Sequence, residues 1–285
     1  MSTSESPRPR PYWHVDAKWI TGILLLFILS ATFLTFLLAW VTAAEQGIEL
    51  LSVILASSFS REGLDQEGDL EIMHEKIAES PDGAWQPIPS LNIVVREQDI
   101  EGLSPREMRL WFFRQLAEPI YYEGDQGLAS LSPDPEMQKN MQGQIGPLGF
   151  ISAEVHGRLK KALIVLSLAS VALLSLLAYF SHRFGRLASP GCVTFLSAVP
   201  GVVLFSMMRG WLEHPGDNAE AEATALTPYT QIAARLAADV LPDIVQKGLQ
   251  TYLSLTLVGL GLMIIAFVGT LIAGIRKRGK PSAGD

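Results

Sequence analysis

The chain has 285 residues, 48% of them hydrophobic and 18% charged, with a formal net charge of −7. Soluble domains carry about 25% charged residues; here the shortfall is gathered into four uncharged runs, 19–44, 162–181, 187–208 and 248–275. Four such runs exclude an ordinary soluble globular class, and an acidic balance without a concentrated basic face argues against nucleic acid as a partner.

Each run matches the roughly 20 apolar residues that cross a hydrocarbon core of about 30 Å. Charge alternates across them. Residues 1–18 are net +1, 45–161 net −10, the turn at 182–186 net +2, 209–247 net −3 and 276–285 net +3. Short Lys/Arg-rich segments stay cytoplasmic. The pattern therefore predicts a plasma-membrane protein with both termini and the 182–188 turn in the cytoplasm. Residues 45–161 and 211–247 then lie outside. Arg158, Lys160 and Lys161 oppose this orientation locally, but the rule weakens in translocated segments longer than about 60 residues.

The expected fold is mainly α, a four-transmembrane-helix bundle with a mostly helical extracytoplasmic domain and minor β structure near 91–95. Transmembrane helices are expected at 19–44, 162–181, 189–210 and 248–275. The cytoplasmic tails are 1–18 and 276–285.

In chain order, the Ser/Pro/Arg-rich start reads as disordered over about its first ten residues. Tyr12 and Trp13 suit the headgroup level. The first run is bracketed by Trp19 and Trp40. Its 26 uncharged residues exceed the 7–15 of a signal-peptide core, so it reads as an uncleaved anchor. Ile48, Leu51, Ile54 and Leu55 continue an apolar helical face, bent or straight at Gly47. A helix is expected over 69–79, with Leu70, Met73 and Ile77 on one side. Leu91 to Val95 is the best strand candidate.

Ser104-Pro105-Arg106-Glu107 is a strong helix start. The helix presents Met108, Trp111, Phe112 and Leu116 on one side, with Trp111 and Phe112 expected in the core, and Pro119 is expected to stop it. Residues 120–150 read as an irregular loop region.

Ala169, Ala172, Ser175 and Ala178 offer small residues for helix contact. The third span is expected to open at Ser189-Pro190 and to kink at Pro200-Gly201. Residues 229–241 look helical, Pro242 is expected to start the last helix, and Gly259 and Gly261 thin its surface for packing. Arg183, Arg186, Arg276, Lys277 and Arg278 are the candidates for anionic lipid headgroups.

Catalytic chemistry finds little support. Glu71 and His74 have E-x-x-H spacing, but the second copy a di-iron bundle needs is absent. Glu213, His214, Asp217, Glu220 and Glu222 lack the spacing of a calcium loop. There is no G-x-S-x-G, phosphate loop or dinucleotide fingerprint. Cys192, alone in the chain, leaves no internal disulfide and reads as a packed apolar residue. The spans hold no Asp, Glu, Lys, Arg or His, which argues against pumps and voltage sensors. No metal or cofactor is expected, and no catalytic residue is named.

The leading expectation is a non-enzymatic membrane protein whose outer domain binds a partner protein or ligand, as scaffold, sensor or accessory subunit. Membrane lipids and another membrane or extracytoplasmic protein, or a second copy, are the expected partners. The alternatives are a channel or transporter subunit lined by Thr32, Thr35, Ser170, Ser175, Thr194 and Ser197, and a lipid-handling protein.

Overall fold

The computed structural model describes residues 13–59, 64, 68–80, 83–141, 146–181, 184–213 and 228–278. Among them the chain is almost entirely helical: α1 (Trp13–Val41), α2 (Ala44–Phe59), α3 (Gly68–Glu79), α4 (Glu97–Ile100), α5 (Pro105–Glu123), α6 (Asp125–Ser130), α7 (Pro135–Met141), α8 (Ala153–Phe180), α9 (Gly185–Glu213) and α10 (Pro228–Arg278). A 3-10 turn (Gly146–Phe150) precedes α8. The one sheet among the described residues pairs β1 (Ala84–Trp85) antiparallel with β2 (Val95–Arg96). The chain divides into two compact units, one of residues up to Phe36, Lys161–Gly210 and Val245 onward, the other of Leu37–Lys160 and Trp211–Ile244.

Four helices are long and apolar enough to cross a membrane: Val15–Val41, Ala153–Phe180, Gly185–Glu213 and Val240–Ile275. Large apolar side chains on them, among them Phe27, Leu168, Met207 and Phe267, are exposed, as lipid-facing positions must be. This is a helical membrane bundle.

Within the first unit the contacts between helices set a register. A Cβ on Gly191 would lie 2.9 Å from the Gly259 carbonyl oxygen, and one on Gly248 2.6 Å from the Phe205 ring. Gly201 meets the Tyr252 ring, and Gly269 meets Phe184. Residue numbers rise along α9 as they fall along α10, so the two helices run antiparallel. Gly22 against Leu177 and Thr32 against Ser170 set α1 antiparallel to α8 in the same way. Phe33 and Phe205 both pack on Tyr252, with ring centroids 6.2 Å and 5.7 Å away. One aromatic layer thereby ties α1, α9 and α10 together.

The second unit has its own core. Val95, Ile100, Met108, Phe112 and Leu116 centre the larger cluster, and Ile48, Leu51, Ala117, Ile120 and Tyr121 form the smaller. Helix α5 contributes to both. Each such side chain contributes roughly 1.5–3 kcal/mol on full burial. The start of α5 follows its sequence signature. Ser104 Oγ accepts from the Glu107 N–H at 3.3 Å, and Glu107 Oε2 accepts from the Ser104 N–H at 2.9 Å.

The Ser104 hydroxyl, donating to Glu107 Oε2 at 2.7 Å, and then the Ser104 backbone N–H hold the Glu107 carboxyl below the ordinary 4.5. A carboxylate shifted this way adds stability above its unfolded value and loses it as pH falls through the folded one. Loss of the N-cap bond in Ser104→Ala is expected to cost about 1 kcal/mol. Thermal melts should also show a smaller loss of stability below about pH 4.5 in this variant than in the parent.

Several expected boundaries moved. Pro119 does not end α5, which continues to Glu123 and closes at Gly124 with φ 61°. Proline removes one backbone hydrogen bond, but burial of Ile120 and Tyr121 just beyond it outweighs that loss. Among the described residues of 120–150, α6, α7 and the 3-10 turn stand where an irregular loop region is expected. Pro190 and Pro242 lie inside α9 and α10 instead of opening them. The first helical run breaks at Thr42-Ala43, between α1 and α2, and not at Gly47. A Cβ at Gly47 would stand 2.8 Å from the Tyr121 ring, so this glycine admits the tyrosine. Strand character at 91–95 narrows to Val95–Arg96, yet Leu91, Ile93 and Val95 are buried and Asn92 and Val94 exposed, the alternation of a half-buried strand. The expectations for residues 1–12 lie outside the described residues.

Candidate functional site

The second unit carries an open cleft of about 330 Å³ lined by Asn92, Ile93, Val94, Asp99, Trp111, Gln115 and Leu131. Its walls follow from local structure. The extended segment 91–95 turns Ile93 inward and Asn92 and Val94 outward. The Asn92 N–H donates to the Leu131 carbonyl at 2.7 Å, fixing one edge. Asp99 Oδ2 accepts from the Arg96 N–H at 3.1 Å, which fixes the carboxylate at the start of α4. Trp111 and Gln115, four apart, share a face of α5. Trp111 was expected in the core. It is half-buried, packed against the core along one side and facing the cleft along the other, while Phe112 is the buried neighbour. Among the described residues no basic side chain lines the cleft. No pattern of residues points to it in advance, because Asn92, Asp99 and Gln115 are common surface residues.

A second polar cluster sits at the α1–α2 break. The Tyr121 hydroxyl donates to the Thr42 carbonyl at 2.8 Å. That carbonyl lies where the helical ladder is interrupted, so the phenol supplies the missing partner. Thr42 Oγ1 donates to the Leu38 carbonyl at 2.8 Å and meets His156 Nδ1 at 3.4 Å. With the threonine proton committed, His156 Nδ1 is the donor. Burial pushes the Tyr121 hydroxyl above its ordinary value of 10.0. Tyr121→Phe leaves the Thr42 carbonyl without this bond. We expect a loss of about 1–3 kcal/mol, measured by chemical unfolding in detergent. Because the folded pKa is raised, the wild-type contribution is complete below about pH 10 and falls away above it.

The other sequence candidates do not converge on one site. Arg186 is exposed at the start of α9, its Nε donating to the Ser181 carbonyl at 3.3 Å. Arg183 lies outside the described residues, as do the side chains of Arg276, Lys277 and Arg278. Ala172 and Ser175 are exposed and Ala169 and Ala178 half-buried. Steps of three advance 300° around a helix, so these four wind around α8 and share no single face. Gly259 lies in the α9 contact, whereas Gly261 has open space around it. Helix α9 continues through Pro200, and Gly201 receives Tyr252.

Among the hydroxyls, Thr32, Ser175 and Ser197 donate to carbonyls of their own helices. Ser170 meets Thr32 at 3.1 Å; since the Thr32 proton is used, Ser170 is the donor. Thr35 and Thr194 are half-buried, as is Cys192. Glu71 and His74 belong to α3, but their side chains lie outside the described residues. So do His214, Asp217, Glu220 and Glu222; Glu213 ends α9. Among the described residues no group of three or more His, Cys, Asp or Glu forms a metal site.

No protein-family model, curated protein or solved structure matches the chain.

Proposed function

We propose that this is a non-enzymatic multi-pass protein of the plasma membrane, with both termini cytoplasmic. Its 45–161 segment faces outward and binds a partner protein or ligand, as scaffold, sensor or accessory subunit. One contrast supports the reading. The four uncharged runs carry no Asp, Glu, Lys, Arg or His, whereas the second unit has a separate core and an open cleft of aromatic and polar side chains. Chemistry in or across the membrane usually needs intramembrane charge. Recognition needs a concave surface with a few placed polar groups.

The test is photo-crosslinking in native membranes. A photoreactive residue at Gln115 should give a discrete adduct with another protein or a small molecule. The same residue at Glu136, exposed on α7 and not among the residues that line the cleft, should not. Equal and diffuse labelling from both positions would contradict the reading.

A further inference from the structure

We propose that the cleft of the second unit binds a small organic cation, a molecule bearing a primary or quaternary ammonium group. The inference rests on the reading that this unit is the binding part of the protein, and adds the class of ligand. Three observations carry it. The cleft places the Asp99 carboxylate and the Trp111 indole around one space, together with the Asn92 and Gln115 amides. A carboxylate beside an indole face attracts ammonium groups through charge and ring quadrupole together. The amide oxygens supply further acceptors for N–H donors.

Among the described residues no lysine, arginine or histidine lines the space, so an anion would meet the Asp99 carboxylate with no formal positive charge to offset it. The segment 45–161 carries 20 acidic against 10 basic residues, and a field of that sign concentrates cations near its surface. Size narrows the class further. At about 330 Å³ the space lies near the small end of ligand pockets, which run from about 300 to 1,000 Å³. It suits a molecule of a few heavy atoms and not the face of a folded protein. Asp99 is held by the Arg96 N–H through Oδ2, so its position is set before any ligand arrives.

The test uses the full-length protein in detergent and choline as the probe, titrated by calorimetry. Its neutral isostere 3,3-dimethyl-1-butanol is the comparison. Choline should bind saturably, and the isostere about tenfold more weakly. Asp99→Asn keeps an oxygen for the Arg96 N–H and removes the charge. It should weaken choline about tenfold while leaving the melting temperature unchanged. Trp111→Leu should weaken choline to a similar degree.

Equal binding of choline and its isostere would overturn the proposal. So would an unchanged affinity in Asp99→Asn, or no saturable binding in the millimolar range. Competition by phosphatidylcholine vesicles, but not phosphatidylglycerol vesicles, would support a lipid headgroup as the source of the ammonium; absence of competition would support a free solute. Cross-linking from Gln115 in native membranes separates the two readings. A protein adduct without choline binding would overturn the ligand class alone.

Discussion

Gly259→Val should abolish accumulation of the folded protein, while Gly261→Val, two residues away on the same helix, should be nearly silent. A Cβ at Gly259 would stand 2.6 Å from the Phe195 backbone nitrogen and 2.9 Å from the Gly191 carbonyl oxygen. These are backbone atoms of α9, so no rotamer change relieves the overlap. The helices must separate, and the contacts at Gly191, Gly201 and Gly248 separate with them. Overpacking a core typically costs about 1–3 kcal/mol, and a clash between backbones belongs at or above the upper end. Around Gly261 nothing lies within 4 Å, and a branched apolar side chain there meets lipid. Unfolding in mild detergent and membrane yield measure both variants. Two equally tolerated variants would mean that α9 and α10 do not touch at this level.

Phe112→Ala should destabilise the second unit by about 3–5 kcal/mol. The side chain is 6% exposed within the larger core cluster, and its ring packs edge-on against Phe113 at 5.3 Å. Removing it leaves a cavity whose other walls, Met108 and Leu116, are fixed on the same helix. Trp111→Phe should cost less than about 1.5 kcal/mol, since one side of the indole already faces the cleft. Urea unfolding of the two variants gives the comparison. Equal losses would return Trp111 to the core, and the cleft would lose its aromatic wall.

Much of this architecture was legible from residue chemistry. Uncharged length alone marked the four spans, because a hydrocarbon core admits little else. Ser104-Pro105 and Glu107 announced the start of α5 through capping, which is local and survives any tertiary context. Proline is a poor boundary marker in this chain, whether expected as a stop at Pro119 or as a start at Pro190 and Pro242. Pro119, Pro190 and Pro242 all lie inside helices, since packing on either side offsets one lost hydrogen bond. Asp134-Pro135-Glu136 carried the same kind of start signal as Ser104-Pro105. Asp134 Oδ1 accepts from the Glu136 N–H at 2.9 Å, and α7 follows. That signal lies within a Gly/Pro-rich stretch whose composition favours loop.

The register of the spans could not be read in advance. Gly259 and Gly261 look alike in sequence, and only the position of α9 tells them apart. The cleft was hidden for a similar reason. Asn92, Asp99 and Gln115 come from three separate elements, and no periodicity links an extended segment to a helix face. The Tyr121 bond to Thr42 spans 79 positions and depends on a helix break that composition does not mark.

The orientation of the spans is the central claim, and cysteine labelling on intact cells tests it most directly. Cys192 is the chain's one thiol, so Cys192→Ser gives a clean background. Asp134→Cys and Ser282→Cys are then exposed separately to a membrane-impermeant maleimide. Asp134→Cys should react on intact cells, and Ser282→Cys only after permeabilisation. Reaction of Ser282→Cys on intact cells, with Asp134→Cys protected, would contradict it.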